Sequence, residues 1–597
     1  MPGTTVGEIV GHRALLSPDN PAIGAIAGRA MTYAELARLM DERAADLASS
    51  RFSAPDRVAI VLPNGPHLAT AFLSVTNIAT AAPLNPALTS AEFEFYLGDL
   101  DARALIVAAD DDSPSIAAAI QLDIPIVRLV ADSDGPAGAF AFDLASGDLG
   151  QRQPPTPDTI ALALHTSGTT ARPKIVPLSH ENLSTSARNV AATLQLTTED
   201  TCLNVMPLFH IHGLVAALLA TLSRGGKMIC TPGFQAPPFF GWVEAHEATW
   251  YTAVPTMHQA IVARAKSEPS PLGSNTLRFA RSSSASLAPS IIADLETALR
   301  VPVIEAYGMT EAAHQMASNP LGAGVRKPGS VGPAAGPELA IADAEGTVLE
   351  QGTIGEVIIR GRNVTAGYHG VDDRSPHFLE GGWFRTGDQG YLDADGYLFL
   401  TGRLKEIINR GGETIAPREI DEAMLALDGV QQAVAFAVPD SALGEEVAAA
   451  VVLEDGADVT EGALKTQLSE VLSLAKVPKR IVFVAEVPKG PTGKLQRIGL
   501  ADQLGVASVR SAVADTRPVH ADTIETITAI WMAVLGVDSI GPDDPFLESG
   551  GDSITVTALA VAIEEEFDID LPLLAFYDAA TIRHQAVLIE ELLHTRA

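Results

Sequence analysis

The sequence predicts an α/β protein with three parts. These are a large N-terminal domain of layered α/β sheets with a β-subdomain, a small α+β subdomain, and an all-α helical bundle. Three observations carry this. Through the first 400 residues, short β-branched runs alternate with helical patterns, the order that builds parallel sheets flanked by helices. From Gly336 to Arg403 short strands and glycine-rich turns take over, and an α+β stretch follows from about Leu404 to Leu500. After residue 521 the composition shifts abruptly to acidic helical segments.

Each element has a local reason. Thr32-Tyr33-Ala34-Glu35 has capping-box spacing and opens a helix expected to about Leu47. Arg57 to Leu62 is an apolar run closed by Pro63-Asn64-Gly65, a buried strand and its turn. A helix fits Ser90 to Leu97, and strands fit Ala104 to Val107 and Ile160 to Leu164. Gly355 to Arg360 and Gly396 to Leu400 read as short strands, and Ile481 to Val484 as a later one. In the tail, Asp522 and Glu525 are expected to cap a helix with Ile524, Ile527, Trp531 and Val534 on one face; Leu559, Ile563 and Phe567 repeat that spacing on a second. The divisions expected are 1–402, 403–502, a linker at 503–521, and 522–597.

Charge and composition exclude several classes. The 597 residues hold 40 Lys and Arg against 73 Asp and Glu, a net charge of −33 that repels nucleic acid. The segment from Ala521 to Ala597 alone has 15 acidic residues, two arginines and no lysine. Two cysteines, Cys202 and Cys230, cannot build a disulfide framework or a Cys-based zinc site. Met1 to Asn20 carries Glu8 and Asp19 without an apolar stretch, and no uninterrupted apolar run of about 18 residues occurs, so neither a signal peptide nor a membrane span is expected. A cytoplasmic location is the expectation.

The richest short stretch is His165-Thr166-Ser167-Gly168-Thr169-Thr170-Ala171-Arg172-Pro173-Lys174, placed after a strand. Hydroxyl donors, a glycine that admits close approach and a lysine together suit a polyphosphate. Alone, the stretch reads equally as a Ser/Thr-rich surface turn. Further segments follow in order: Tyr307-Gly308-Met309-Thr310-Glu311, Trp383-Phe384-Arg385-Thr386-Gly387-Asp388, Gly402-Arg403-Leu404-Lys405-Glu406, and Pro488-Lys489-Gly490-Pro491-Thr492-Gly493-Lys494. With these motifs in this order, residues 5–500 resemble the adenylate-forming superfamily of acyl-CoA synthetases, adenylation domains and luciferases.

The resemblance implies roles. Thr166, Ser167, Gly168, Thr169, Thr170 and Lys174 would hold the phosphates of ATP; Ala171 stands where the family usually has glycine, which bears on loop kinetics. Tyr307 would stack on adenine opposite Ser284, Ala285 and Ser286. Thr310 would bond the α-phosphate, Glu311 would bind Mg²⁺, Asp388 the ribose hydroxyls, and Arg403 the ribose or phosphate. Lys494 would stabilise the charge that builds when a carboxylate attacks the α-phosphate, although a PTGK lysine taken alone is a solvated loop residue. Lys405 would be the hinge between adenylation and thioester formation, with Gly411 and Gly412 near the thiol's pantetheine arm.

Phe546-Leu547-Glu548-Ser549-Gly550-Gly551-Asp552-Ser553-Ile554 is similar to the phosphopantetheine attachment site of acyl and peptidyl carrier proteins, with Ser553 as the attachment residue. On its own, that serine would be an N-cap after a glycine turn. The resemblance implies a phosphopantetheinyl transferase as partner, and a separate downstream enzyme that accepts the product. The segment Pro207-Leu208-Phe209-His210-Ile211-His212-Gly213-Leu214 lacks the acid that would pair with an α-amino group, so an ordinary amino acid is disfavoured. Arg281 to Pro289 and Tyr307 to Met316 resemble the oxalate–CoA ligase branch. His210, His212, Ser283, Gly308, His314 and Gly332 would line the pocket for a small polar or dianionic acid, with Arg326 or Lys327 in reserve. Each histidine taken alone reads better as a hydrogen-bonded structural group than as a substrate ligand, and only their clustering brings the two readings level; a short or medium-chain apolar acid is the alternative substrate. The expected function is ATP-dependent activation of a small carboxylic acid followed by thioester formation on the chain's own carrier; the alternative acceptor is free CoA. A scaffold with an inactive adenylation fold is disfavoured by Lys174, Glu311, Asp388 and Lys494.

Overall fold

In the computed structural model, the described residues are 4–50, 52–144, 153–166, 173–267, 276–322, 324–371, 376–411, 413–440, 443–454, 456–488, 497–506, 520–537, 539–544, 546, 549, 553–567, 569, 571 and 581–596. They form two compact units, Met1–Ile407 with Glu486–Ile498, and Ile408–Ala485 with Gly499–Ala597. The first division therefore falls at Ile407/Ile408; position 402/403 lies inside the strand Leu398–Arg403.

The first unit contains three sheets. A seven-stranded sheet runs in the order Phe140–Asp143, Ile126–Ala131, Ala102–Ala108, Arg57–Val61, Thr80–Pro83, Ile160–His165, Ile175–Ser179, parallel inside with an antiparallel strand at each edge. An eight-stranded sheet has the adjacent parallel strands Lys227–Cys230, Thr201–Asn204, Trp250–Ala253, Phe279–Ser282 and Val303–Met309 at its centre. The antiparallel strand His314–Ser318 closes one edge. Their near-continuous apolar runs, such as Val58, Ala59, Ile60 and Val61, are buried on both faces because helices cover them. The β-subdomain is a four-stranded antiparallel sheet, Glu338–Ala342, Gly355–Arg360, Phe384–Leu392 and Leu398–Arg403.

Capping explains where the helices start. The helix Tyr33–Ser49 has Thr32 as N-cap, accepting from the Glu35 amide while Glu35 accepts from the Thr32 amide. The same reciprocal pair opens Val6–Leu16 with Thr5 and Glu8, and Ser90–Asp99 with Thr89 and Glu92. Each such cap stabilises its helix by about 1 kcal/mol.

In the second unit, five strands (Ile408–Arg410, Glu413–Ile415, Val430–Asp440, Gly444–Leu453 and Arg480–Phe483) form one sheet with helices Pro417–Leu425 and Glu461–Ser469. In the tail, helices Ala521–Leu535, Ser553–Phe567 and Ile582–Arg596 enclose Ile527, Trp531, Phe546, Leu559, Ile563, Ile582 and Ile589. The indole N–H of Trp531 donates to Gln585 Oε1 at 2.7 Å, so the largest core side chain keeps its polar group paired. Asp522 is not the cap expected of it. The N-cap is His520, which places Asp522 in the first turn, where its charge faces the positive end of the helix dipole. Among the described residues no helix is long and apolar enough to cross a membrane.

Candidate active site

Parallel strands place their carboxyl ends on one side of a sheet, the usual location of ligand sites in such folds. Here the strands Trp250–Ala253, Phe279–Ser282 and Val303–Met309 bring Thr252, Ser283, Ser284 and Tyr307 to that edge.

Tyr307 is buried, and its hydroxyl donates to Asp388 Oδ2. Asp388 and Arg403 are cross-strand partners in the β-subdomain, and Arg403 Nε donates to Asp388 Oδ1 at 3.0 Å. Burial, and then the Asp388 carboxylate, push the Tyr307 phenol well above its usual value. Chiefly through Asp388, the Arg403 guanidinium is held more firmly protonated than usual. Each Asp388 oxygen keeps a second lone pair, so the carboxylate can still accept from two ribose hydroxyls.

Thr310, Glu311 and Ala312 form a short 3-10 turn directly after the Tyr307 strand. Glu311 is buried, accepts from the Tyr368 hydroxyl at 2.7 Å, and has no ion pair among the described residues. Burial raises its carboxyl above the usual range. A buried carboxylate without a cation is costly, and this donor fits Mg²⁺. Lys174 Nζ lies 3.1 Å from His377 Nε2 and 4.6 Å from the Tyr368 ring centroid, so the phosphate-loop lysine and the Glu311 carboxylate share one aromatic neighbour. The Thr166 amide donates to the Lys174 carbonyl at 2.8 Å, and the Lys174 amide to Thr166 Oγ1 at 3.1 Å, which closes the base of the loop. Ser167, Gly168, Thr169, Thr170, Ala171, Gly412 and Lys494 lie outside the described residues.

His212 and His314 meet as stacked rings, centroids 4.8 Å apart at 23°. His212 opens a π-helical segment, His212–Leu219, a geometry frequent at functional sites. Its Nδ1 is 3.0 Å from Ser284 Oγ and its Nε2 2.6 Å from Thr252 Oγ1. Ser284 (φ 76°) and His314 (φ 100°) are non-glycine residues held at positive φ, conformations that cost about 1–3 kcal/mol each and cluster at functional sites. A Cβ on Gly308 would come within 1.9 Å of the His314 carbonyl oxygen, so only glycine lets that hairpin close; Gly332 (φ 86°) is similarly pressed against Ser318. His210 packs on Phe209 at 4.7 Å. Ala285 and Ser286 are exposed, just beyond Ser284.

Other expected pocket residues are committed elsewhere. Ser283 is fully buried and donates to the Ala306 carbonyl at 2.9 Å. Arg326 pairs with Glu296, and Lys327 with Asp393 and Asp395 at 2.5 and 2.6 Å. All four of Glu296, Asn319, Arg326 and Lys327 line a separate cavity of about 280 Å³. Neither basic residue is in reserve for an acid at the histidine pair. Sequence reasoning missed Thr252, Arg281, Tyr368 and His377. The only signal for Arg281 was a cation inside the strand Phe279–Ser282, between residues that read as core.

A hydrogen-bonded Tyr307–Asp388–Arg403 group, a buried Glu311 carboxylate and a stacked histidine pair at the ends of parallel strands suit an enzyme that activates an acid with a nucleotide. Family models describe residues 11–369 as AMP-binding enzyme, 419–494 as AMP-binding enzyme C-terminal domain, and 525–588 as phosphopantetheine attachment site. The chain belongs to the AMP-binding enzyme family and is an ATP-dependent acid–thiol ligase carrying a phosphopantetheine attachment domain. It is 43% identical over 514 residues to the oxalate–CoA ligase of Arabidopsis thaliana, covering 83% of this chain and 98% of that protein. It is 36% identical to the sulfoacetate–CoA ligase of Cupriavidus necator, covering 83% and 97%. The structure of ATP-bound MatB from Rhodopseudomonas palustris matches with a TM-score of 0.74 at 29% identity, over 84% of this chain and 99% of that one.

Proposed function

We propose that this chain activates a small, doubly anionic acid as its acyl-adenylate and passes the acyl group to a 4′-phosphopantetheine thiol on its own Ser553. In the first step a carboxylate oxygen bonds to the α-phosphorus of ATP and pyrophosphate leaves. Thr310 and Lys494 oppose the charge that develops at phosphorus, Thr166 and Lys174 hold the phosphates, and Tyr307, Asp388 and Arg403 hold the nucleoside. Glu311 would hold Mg²⁺, which when bound would supply charge neutralisation for the phosphates. In the second step the thiol sulfur bonds to the acyl carbon, its proton is released and AMP leaves, with Lys405 as the hinge between the two states.

Polar side chains gathered at the histidine pair support the substrate class: His212, His314, Thr252 and Ser284 form a hydrogen-bonded polar cluster that suits a second anionic head better than an apolar acyl chain. Two relatives named for acids with a second anionic group, oxalate and sulfoacetate, point the same way.

The observation that carries the acceptor is the attachment segment itself. The match to the oxalate–CoA ligase spans 98% of that protein yet leaves 17% of this chain over, and the attachment model falls at 525–588. Ser553 is the first residue of the 15-residue helix Ser553–Phe567. The −13 charge of Ala521–Ala597 suits docking on basic partner surfaces, a phosphopantetheinyl transferase and a downstream acyl acceptor enzyme among them. The second reading, free CoA as acceptor, is favoured by the names of the relatives. Intact-protein mass decides. After treatment with a phosphopantetheinyl transferase and CoA, and then ATP, Mg²⁺ and oxalate, the chain gains the arm and then the acyl group. Ser553→Ala gains neither and keeps normal ATP–pyrophosphate exchange. Equal release of oxalyl-CoA by both proteins, with no covalent acyl group on either, establishes free CoA as the acceptor.

A further inference from the structure

Arg281 is fully buried and forms no ion pair with any carboxylate among the described residues. Its Nε has no hydrogen-bond partner there. A guanidinium in such a place is expensive unless it does something for its neighbours. Three acceptors face it. Nη1 is 3.1 Å from His314 Nε2 and 3.3 Å from Thr252 Oγ1, and Nη2 is 3.3 Å from Gln315 Oε1. The register explains the Thr252 contact, since Thr252 and Arg281 are partners on adjacent parallel strands.

The charged guanidinium has five N–H donors and no acceptor. That asymmetry sets the direction of every bond beyond it. His314 Nε2 must accept, so a neutral His314 carries its proton on Nδ1. The Thr252 hydroxyl accepts from Arg281, and its other partner among the described residues is His212 Nε2. Its proton therefore goes to that nitrogen. His212 then carries its own proton on Nδ1 and donates it to Ser284 Oγ, 3.0 Å away. Ser284 is left with a hydroxyl proton to give.

We propose that Arg281 is a positioning residue that holds His212 and His314 in the neutral Nδ1–H form and turns Ser284 into a donor, so that the acid pocket presents fixed hydrogen-bond donors. The inference rests on reading the stacked histidines as the site of the substrate's second anionic group. The ionisable groups around the pair are few. Arg281 faces it from the strand Phe279–Ser282. His258, on the helix Pro255–Ser267, has Nε2 3.3 Å from the Arg281 carbonyl and is pushed down to about 4 by burial. Glu311 lies in the turn just before His314, with its carboxylate against Tyr368. Burial brings Arg281 itself down to about 9, still charged at neutral pH. A second proton on His314 would have to sit on Nε2, facing that cation, so acid pH does not charge the ring.

Two measurements on the full chain separate this inference from the substrate reading. In protein labelled with ¹⁵N-histidine, with His212→Gln and His314→Gln to assign signals, both rings should show pyrrole-type Nδ1 and pyridine-type Nε2 from pH 5.5 to 8. An Nε2–H tautomer on either ring, or titration of His314 near 6.5, overturns the proposal, whatever the substrate proves to be. In ATP–pyrophosphate exchange with oxalate, wild type should hold a flat KM across that range. Arg281→Met should raise KM about tenfold or more at pH 8, the cost of losing bonds to a charged donor, and recover toward pH 5.5 as the freed ring takes up a proton. Arg281→Lys, which keeps a cation, should return a flatter profile. A KM for Arg281→Met that shifts equally at every pH overturns the positioning role. Failure of the wild type to use oxalate at all rejects only the substrate reading and leaves the tautomer measurement to decide.

Discussion

Glu311 shows how one residue trades stability for function. Its carboxylate is buried, raised in pKa by that burial, and answered chiefly by the Tyr368 hydroxyl, with its own backbone amide and the Arg403 charge adding less. The neutral isostere keeps the acceptor for Tyr368 and removes the unpaired charge. Glu311→Gln should therefore raise the melting temperature of the nucleotide-free protein by a few degrees, at about 2–4 °C per kcal/mol for a domain of 150–250 residues. The same change should lower Mg²⁺-dependent pyrophosphate exchange by about 10²-fold or more, the scale for losing one electrostatic contact to a transition state. Calorimetry with and without Mg-ATP checks both halves: the wild type gains more on ligand addition than the variant. A variant that melts lower without ligand makes Glu311 a structural residue.

At the scale of elements, the turn Leu404–Glu406 follows the strand Leu398–Arg403 directly and ends one residue before the division at Ile407/Ile408. Lys405 is exposed there, while the Leu404 amide donates to the Gly387 carbonyl and the Glu406 and Ile407 amides to the Arg403 carbonyl. Arg497 Nε, 3.3 Å from Glu406, ties the following residue down. Lys405 is thus the position in the turn whose backbone amide holds no such bond, which suits a φ/ψ change. Lys405→Pro fixes φ without removing an amide hydrogen bond of the turn among the described residues. Acyl-adenylate should still form within about twofold of wild type, while thioester transfer falls about tenfold or more, as for a blocked conformational step. Single-turnover assays of the two half-reactions check this, and an equal drop in both assigns the effect to folding.

For the whole molecule, the proposed transfer to the chain's own Ser553 would make the second step intramolecular. The rate at which acyl groups appear on Ser553 should be independent of protein concentration over about a hundredfold dilution, because the tethered arm is present at an effective concentration in the mM range. Quenched-flow mass measurements across that range test it. A rate that falls in proportion to protein concentration means that one molecule loads another.

How much of this could be read without coordinates follows from the range of the forces involved. Local signals are strong where neighbours in sequence decide the outcome. Thr32 and Glu35 predicted their helix start because both partners of the cap lie within one turn, and Ile160 to Leu164 predicted its strand from its own apolar run. The resemblance of the motifs around Tyr307, Glu311, Asp388 and Arg403 to an adenylate-forming family implied a nucleotide site, and the fold brings Tyr307, Asp388 and Arg403 into one hydrogen-bonded group. Asp522 misled by two positions: the helix starts at Ala521 with His520 as N-cap and no side-chain cap bond, so the cap is not marked by a local hydrogen-bonding signature. Nothing local gave Arg281 or Thr252 a role, since they are 29 residues apart and meet only because their strands lie side by side in register. The sequence by itself determined the fold class, the order of the domains and the reaction chemistry, all written in short-range patterns. The tertiary structure alone decided which histidines stack, which cations are consumed in ion pairs, and that a buried guanidinium faces the pair, because each depends on contacts between strands and turns far apart in the chain.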